Sequence, residues 1–350
     1  MDIENVNKLK KIEEELERWL PANTKTIAKS IWTERVFPGI GKNIGVSSLN
    51  ALIEPLRDML SRGGKRWRPL LMTLICETLG GGDSAVPLTP LVEFCHNASL
   101  IHDDIEDDSD ERRGKPTIHK IYGVDTAINS GSFFYFLALC CLEAYNGDNK
   151  DYIYKLWAEY VRCLHLGQAM DISWHRDIRI IPDINDYFVM CALKTGSLSR
   201  FAAESGAYIA GTSTEAARYT GEAAEKLGIG FQMLDDVKNL TTGVRGKRRG
   251  DDIVEGKKSY PVLLYLHKYP EKREQIFYCF YEAKTNGLLV PEIKEVIDIL
   301  TAAGVLKEAE EKALALINEA RNSFNSPQYA GFPASEKGRA LLDNLISMIS

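Results

Sequence analysis

Acidic side chains are concentrated in one short stretch of this sequence, "HDDIEDDSDE" (102–111), and Arg112 and Arg113 follow at once. Asp103 and Asp107 are four residues apart, so on a helix their carboxylates lie on one face, about one turn apart. Like charges this close destabilise a helix unless a cation neutralises them. Mg²⁺ is commonly bound by one or two carboxylates per site together with phosphate oxygens. Guanidinium groups bind phosphate through two parallel hydrogen bonds. The stretch therefore predicts a site for a metal ion and a diphosphate.

A second acidic pair strengthens this prediction. For a single acidic run, a solvated charged loop is the plainer interpretation, and an EF-hand loop would need a glycine and alternating acids that are absent here. Asp235 and Asp236, however, are again adjacent at the polar end of an apolar helical stretch, with Asn239 four residues after Asp235. We expect the two pairs to lie on separate helices that face one cavity and share Mg²⁺ ions around one diphosphate.

The elements that must position these residues are predicted to be helices. Apolar residues recur every three or four positions in stretches such as 3–19, 52–60 and 293–300, which is the period of an amphipathic helix. No convincing alternating strand pattern is present, and breaks such as "GGGDSAVP" separate the helices. The sequence therefore predicts an all-α, single-domain helical bundle. Residues 1–48 are expected to form an N-terminal helix and linker, and residues 49–350 the main body.

The composition limits the classes of function and location. A net charge of −6 over 350 residues argues against a general nucleic-acid-binding protein. The N-terminal stretch is charged throughout, so we expect no signal peptide, and no run of about eighteen apolar residues predicts a membrane span or stable anchor. The seven cysteines form no CxxC pair. We therefore expect reduced thiols and a cytoplasmic location.

Six ordered signatures resemble one enzyme family. They span residues 63–261 and read "GGKRWRP", "SLIHDDIEDDSDERRGKPTIH", "GQAMDI", "KTGSL", "FQMLDDVKNL" and "DDIVEGKKSYP". The sequence resembles the trans-isoprenyl diphosphate synthases, or polyprenyl synthetases, and most of all the geranylgeranyl diphosphate synthases. The resemblance implies a bundle of the isoprenoid synthase type around a deep central cavity, usually as a homodimer. It also implies Mg²⁺-dependent head-to-tail (1'-4) condensation of isopentenyl diphosphate with dimethylallyl, geranyl or farnesyl diphosphate.

The resemblance assigns roles to individual residues. Those that hold the diphosphate of isopentenyl diphosphate are Lys65, Arg68, His96 and Arg113. Those that grip the allylic diphosphate are Arg112, Lys194, Lys247 and Lys257. Those that bind Mg²⁺, expected as three ions per site, are Asp103, Asp107 and Asp235, with Asp104 and Asp236 in support and Asp171 on metal-bound water. Thr195 and Gln232 are expected to offer oxygen dipoles to the allylic cation.

Product length is expected to depend on the helix that carries the first acidic pair. One helical turn rises about 5.4 Å, roughly one isoprene unit, so residues four or five positions before Asp103 act as a ruler. Ala98 and Ser99 are small, whereas farnesyl-producing members of the family commonly carry a bulky residue there. The resemblance therefore implies a C20 product, with C15 or C25 and longer as alternatives. One of Phe133, Phe134, Tyr135 and Phe136 is expected to form the floor of the cavity.

Two rival functions make different demands on the sequence. A class I terpene cyclase needs Ser or Thr four residues after the first residue of its second metal motif, and then Glu, whereas here Asn239 and Gly243 follow Asp235 at those positions. A non-catalytic partner subunit of a synthase would not need both acidic pairs and all the basic positions. Both rivals are therefore disfavoured.

Overall fold

A computed structural model describes residues 3–22, 31–243, 248–326 and 335–349, and most of these lie in α-helices. The prediction of an all-α fold is thus confirmed. The chain divides into two compact units, each built from three segments. Unit 1 comprises Met1–Ala158, Phe201–Thr220 and Pro327–Leu345, and unit 2 comprises Glu159–Arg200, Gly221–Ser326 and Ile346–Ser350.

The helices of the described residues are numbered here in chain order. They are α1 (Ile3–Trp19), α2 (Ile31–Val36), α3 (Val46–Ser61), α4 (Trp67–Thr78), α5 (Thr89–Glu106), α6 (Ile118–Tyr122), α7 (Val124–Glu143), α8 (Lys150–Arg176), α9 (Ile184–Cys191), α10 (Ser197–Ile209), α11 (Thr214–Thr241), α12 (Asp251–Glu255), α13 (Tyr260–Lys268), α14 (Arg273–Asn286), α15 (Pro291–Ala302), α16 (Val305–Phe324) and α17 (Glu336–Ile349).

The core of unit 1 is formed by α5 and α7, which pack along each other. Phe94 of α5 and Phe134 of α7 are fully buried, and their ring centroids lie 4.7 Å apart. Burial of such large apolar side chains is the main favourable term in folding. Helix α7 is long and apolar enough to cross a membrane by length and composition, but half of its apolar window is buried within the protein. Core helices of globular proteins share this property.

The N-terminal helix α1 belongs to the same core. Ile12 and Leu16 have no exposed surface, and α1 packs on α4 and α5. The Trp32 indole donates a hydrogen bond of 2.9 Å to the backbone oxygen of Trp19, which ties α2 to the end of α1. The expected N-terminal helix is therefore present and is a structural part of unit 1, whereas the boundary at residue 48 stays a prediction.

A short hairpin interrupts the helices directly after the first acidic stretch. Strand β1 (Glu111–Arg112) pairs antiparallel with β2 (Lys115–Pro116), with Arg112 opposite Lys115. The two turn residues, Arg113 and Gly114, have φ values of 56° and 79°, as in the type I′ turns that suit the twist of a two-residue hairpin. The sequence pattern missed this hairpin, because strands of two residues are too short to show alternation.

In unit 2, α9 and α10 are joined by a single π-helical turn, Ala192–Gly196. Such turns are rare and often lie at functional sites. A Cβ added at Gly228 of α11 would lie 2.9 Å from the Gly196 Cα, so the absence of a side chain allows α11 to approach the turn closely. The first three residues of the "KTGSL" signature, Lys194 to Gly196, form the second part of this turn.

Candidate active site

The two acidic pairs share one arrangement. Asp103 and Asp235, the first residue of each pair, are half-buried. Asp104 and Asp236, the second residues, are 0% and 6% exposed. Neighbouring residues on a helix point about 100° apart, so the first carboxylate of each pair stays accessible while the second turns into the protein. This difference in exposure is not visible in the sequence.

Within unit 1, Asp104 holds Arg112. The guanidinium donates to Asp104 Oδ1 from Nε at 2.8 Å and from Nη2 at 2.5 Å, and Nη2 lies 3.4 Å from Asp103 Oδ2. The hairpin carries Arg112 back over the end of α5, where Asp107 is the C-cap residue. Asp104 therefore positions a cation next to the accessible carboxylate of Asp103.

A small cavity in unit 1 brings together all four residues expected to hold isopentenyl diphosphate. Its volume is about 30 Å³, and it is lined by Gly64, Lys65, Arg66, Trp67, Arg68, Glu93, His96 and Arg113. The four residues therefore lie together in the folded chain.

The electrostatics of this cavity favour an anion. Burial lowers the pKa of His96 well below its ordinary value, and the nearby guanidinium groups of Arg68 and Arg113 lower it further. Burial also lowers the pKa of Arg113 to about 10, although Glu93 opposes this shift. His96 is therefore neutral in the folded protein, and the surrounding excess of positive charge would be relieved by a bound anion.

Two residues of the "GGKRWRP" signature support its cations. Arg66 adopts a left-handed backbone conformation with φ of 49°, and its guanidinium donates to Glu93 and to Glu13 of α1, both at 2.8 Å. The guanidinium of Arg68 lies 4.4 Å from the ring centroid of Trp67, a cation–π contact that orients it. Sequence reasoning missed the roles of Arg66 and Trp67, because their partners are distant in the chain or depend on ring orientation.

Within unit 2, Asp171 and Lys194 form an ion pair. Lys194 Nζ lies 2.6 Å from Asp171 Oδ2, with the side chains 21% and 9% exposed. The π-helical turn places Lys194 and Thr195 at successive positions. Asp171 and Lys194 are 23 residues apart in the sequence. Their contact therefore joins the "GQAMD" and "KTG" signatures directly.

A chain of buried hydrogen bonds continues from Thr195. Thr195 Oγ1 donates to Gln232 Oε1 at 2.9 Å, and Gln232 Nε2 donates to Asp236 Oδ1 at 3.1 Å. Asp236 Oδ2 accepts from the Tyr187 hydroxyl at 2.7 Å and from the Tyr260 backbone N–H at 2.9 Å. Burial raises the pKa of Asp236, although these donors lower it. Tyr187 was not identified from the sequence, because its link to Asp236 spans 49 residues.

Among the remaining expected cations, Lys257 lies 2.6 Å from Glu255, and Lys247 lies outside the described residues. The neighbouring Lys258 is buried, donates to the Gly256 backbone oxygen at 2.9 Å, and has its pKa lowered by burial to about 8. Asn239 Oδ1 accepts from the Asp252 backbone N–H at 3.4 Å. This neutral oxygen therefore faces the start of α12.

The expected chain-length residues all lie in unit 1. Ser99 is half-buried on the face of α5 that carries Asp103, and Ala98 is fully buried. Phe134 packs on Phe94, whereas Phe133 stacks on Phe37 with centroids 5.8 Å apart. Their role in setting product length stays a prediction.

The donor groups suit an ion that phosphate helps to hold. Across the part of the chain that the structure describes, no group of three or more His, Cys, Asp or Glu side chains is arranged to hold a metal ion. Mg²⁺ is usually bound by one or two carboxylates together with water and substrate phosphates. The accessible carboxylates of Asp103 and Asp235 fit this mode of binding, which needs no cage made by the protein alone.

Comparison with known proteins shows extended similarity. The family model described as polyprenyl synthetase matches residues 50–299. Geranylfarnesyl diphosphate synthase of Aeropyrum pernix is 31% identical over 305 residues, covering 83% of this chain and 92% of the relative. Geranylgeranyl pyrophosphate synthase of Neocamarosporium betae is 32% identical over 299 residues, covering 83% of this chain and 81% of the relative.

A solved structure shows the same fold. The geranylgeranyl pyrophosphate synthetase of Pyrococcus horikoshii Ot3 superposes with a TM-score of 0.82 at 27% identity, covering 99% of this chain and 97% of that one. The polypeptide described here therefore has the isoprenoid synthase fold expected from its signatures.

Proposed function

This chain belongs to the polyprenyl synthetase family and is a prenyltransferase, and from that premise we propose that it condenses isopentenyl diphosphate head to tail with an allylic diphosphate. The observation that carries the proposal is the cationic cavity lined by Lys65, Arg68, His96 and Arg113. Together with Lys194 and Lys257 it gives two distinct sets of cations, one for each diphosphate substrate. A terpene cyclase, which has a single diphosphate substrate, needs only one set.

The chemistry divides between the two sets. The diphosphate of isopentenyl diphosphate is held in the unit 1 cavity, which orients its alkene. Heterolysis of the allylic C–O bond leaves a carbocation and a diphosphate anion, and Lys194 and Arg112 stabilise the departing anion. Bound through Asp103, Asp107 and Asp235, with Asp171 on metal-bound water, Mg²⁺ supplies Lewis-acid stabilisation of the same leaving group. We propose three ions per site.

Thr195 and Gln232 act on the cation. Their oxygen dipoles stabilise positive charge without attacking it, and the alkene of isopentenyl diphosphate then adds to the allylic carbon. A proton is lost from the adduct, and the released diphosphate takes it up. The products are inorganic diphosphate and an all-trans prenyl diphosphate longer by five carbons.

We propose a C20 product, geranylgeranyl diphosphate. Ser99 lies one turn before Asp103 on the same half-buried face of α5, and its small side chain leaves room for a growing tail. Relatives that make C20 and C25 products both match over more than four fifths of this chain. The buried pair of Phe94 and Phe134 is one candidate for the lower end of the tunnel.

The proposed assembly is a homodimer in the cytoplasm, formed through α7. Ile128 and Phe136 are 48% and 64% exposed and lie two turns apart on one face of that helix. Exposed apolar side chains in line favour a protein partner, and a second copy of the chain presents the same stripe. A reducing compartment suits the seven cysteines, all of which are free thiols in the described part of the chain.

The proposed function is tested by product analysis with mass spectrometry. The purified protein is incubated with isopentenyl diphosphate, Mg²⁺ and, separately, dimethylallyl, geranyl or farnesyl diphosphate. A C20 diphosphate that is lost on addition of EDTA is the expected result, and Ser99→Phe should shorten the product to C15. C25 or longer products would contradict the proposed chain length alone. No elongation with any primer by the folded protein would contradict the enzyme itself.

Matched aspartate variants test the site. Asp103→Asn and Asp235→Asn should lower kcat by at least about a hundredfold, since each removes an accessible carboxylate expected to bind the metal. Asp108→Asn is the control, because Asp108 belongs to the same acidic stretch but is 85% exposed and pairs with Lys120. Equal losses in all three variants would show that the loss of an acidic charge matters and that its position does not.

A further inference from the structure

We propose that Tyr187 is a positioning residue that acts through Asp236 and Gln232 to fix which end of the Thr195 hydroxyl dipole faces the allylic cation. The inference rests on the proposed function, because it concerns the stabilisation of that cation. It begins from the buried hydrogen-bond chain in unit 2, whose members lie in α9, α11 and the π-helical turn.

The direction of each hydrogen bond follows from the acceptor at the end of the chain. An ionised carboxylate only accepts hydrogen bonds, and the Tyr260 backbone N–H, which lies 2.9 Å from Asp236 Oδ2, can only donate. Gln232 must therefore turn its amide nitrogen toward Asp236, at 3.1 Å. A flipped amide would place its oxygen against the carboxylate. Two acceptors that face each other without a hydrogen between them repel.

The orientation of Gln232 then decides the orientation of Thr195. With the amide nitrogen on Asp236, the amide oxygen faces Thr195 Oγ1 at 2.9 Å. A hydroxyl has a single hydrogen to donate, and Thr195 donates it to Gln232. The lone pairs of Oγ1 are left to face other groups, so the negative end of the hydroxyl dipole is presented to a developing positive charge.

Tyr187 is the side chain that secures the far end of this chain. Its ring is 1% exposed, and its hydroxyl lies 2.7 Å from Asp236 Oδ2. Tyr187 precedes the π-helical turn by less than two turns of helix, on the continuous path from α9 to Thr195. Without the Tyr187 hydroxyl, the Tyr260 backbone N–H is the one donor to Oδ2 that remains among the described residues, and the carboxylate can turn away from Gln232. Preorganised dipoles lose their catalytic effect when they are free to reorient.

The same geometry separates the two aspartates of the second acidic pair by role. Both oxygens of Asp236 accept hydrogen bonds from protein donors, whereas Asp235 lies half-buried beside it. Asp235 suits the metal, and Asp236 suits the control of Gln232. The protein thus uses Asp235 to stabilise the leaving group through the metal, and Asp236 to stabilise the cation through Gln232.

A double-mutant cycle tests the inference. Tyr187→Phe should lower kcat about tenfold with KM for both substrates changed less than about twofold, because substrate binding does not depend on the polarity of Thr195. Thr195→Val removes the hydroxyl, so in that background Tyr187→Phe should lower kcat by less than about twofold. Tyr265→Phe, which removes the hydroxyl of another buried tyrosine in unit 2, is the control and should keep the wild-type kcat.

Three results would overturn the inference while leaving the proposed function intact, provided that the wild-type chain makes a prenyl diphosphate. The first is an unchanged kcat in Tyr187→Phe. The second is that the effects of Tyr187→Phe and Thr195→Val on kcat multiply in the double variant. The third is a raised KM in Tyr187→Phe with kcat unchanged. If Tyr187→Phe does not fold, as judged by thermal unfolding, the same cycle is run with Asp236→Asn, which replaces the carboxylate by an amide of the same shape. Absence of product from the wild-type chain would instead refute the proposed function.

Discussion

At the scale of single residues, the decisive feature is that chemically identical side chains receive different environments. Asp103 and Asp104 are adjacent, yet Asp104 has no exposed surface and is bonded to Arg112, while Asp103 is half-buried. Asp235 and Asp236 repeat this division. A carboxylate whose oxygens already accept strong hydrogen bonds from protein groups is a poorer ligand for a metal ion. The position within each pair, which packing determines, therefore sets how exposed each carboxylate is.

His96 provides a prediction at this scale. The pKa of His96 is far below its ordinary value in the folded protein, because of burial and the guanidinium groups of Arg68 and Arg113. The unfolded chain takes up a proton on this histidine near pH 6.5, so below that pH the unfolded state binds more protons and folding is disfavoured. When the pH is lowered from 7 to 5.5, the free energy of unfolding should therefore decrease by about 1 kcal/mol less in His96→Gln than in the wild type.

Denaturant unfolding at several pH values measures this difference. His165→Gln, which replaces an exposed histidine of α8, is the matched control and should retain the wild-type dependence on pH. An identical decline in stability in His96→Gln and the wild type would show that His96 is protonated in the folded cavity.

At the scale of elements, the hairpin after α5 determines where two guanidinium groups lie. Arg112 in β1 reaches Asp104, and Arg113 at the turn lines the cavity with His96. Left-handed backbone at Arg113 and Gly114 is needed for a two-residue turn, and for a residue other than glycine it costs about 1 kcal/mol. Strain at functional positions is retained when the surrounding structure holds it in place.

Gly114→Ala tests the importance of the turn. The added Cβ meets no atom within 4 Å, so the penalty comes from φ alone, and stability should fall by about 1 kcal/mol. Because the turn carries Arg113, KM for isopentenyl diphosphate should rise about fivefold or more. Gly80→Ala is the matched control: Gly80 also has a positive φ and open space around it but lies outside the cavity lining.

Steady-state kinetics and denaturant unfolding of both variants give the outcome. We expect similar losses of stability and a raised KM only in Gly114→Ala. If KM rises equally in both, or in neither, the hairpin does not position the substrate.

At the scale of the whole molecule, the proposed dimer can be tested at the exposed stripe of α7. Ile128→Ser and Phe136→Ser together should convert a dimer to a monomer, because burying the exposed part of these two side chains would contribute about 2–3 kcal/mol to association in each copy. Light scattering coupled to size-exclusion chromatography measures the mass. Tyr281→Ser, at a residue of α14 that is 58% exposed, is the control.

A wild-type chain that is already monomeric, or a double variant that remains dimeric, would contradict the assignment of the interface to α7. The activity assay on the same samples would show whether the proposed catalysis depends on the assembly.

The sequence by itself determined the fold class, the family and the identity of most candidate site residues. Helical periodicity is a local property, and signatures such as "GGKRWRP" and "FQMLDDVKNL" keep their residue types in fixed spacing. The apolar periodicity of residues 3–19 predicted an N-terminal helix, and the structure has a helix over Ile3–Trp19. The convergence of Lys65, Arg68, His96 and Arg113 on one cavity, expected from resemblance, is present as well.

Only the tertiary structure decided the partners and the burial of these residues. The hydrogen bonds from Arg66 to Glu13 and from Tyr187 to Asp236 depend on packing between elements far apart in sequence. The same holds for the half-buried and buried members of each acidic pair, because burial is set by the neighbouring helices and not by residue type. Local spacing specifies what a side chain can do, whereas its three-dimensional surroundings determine its charge, its partners and its direction.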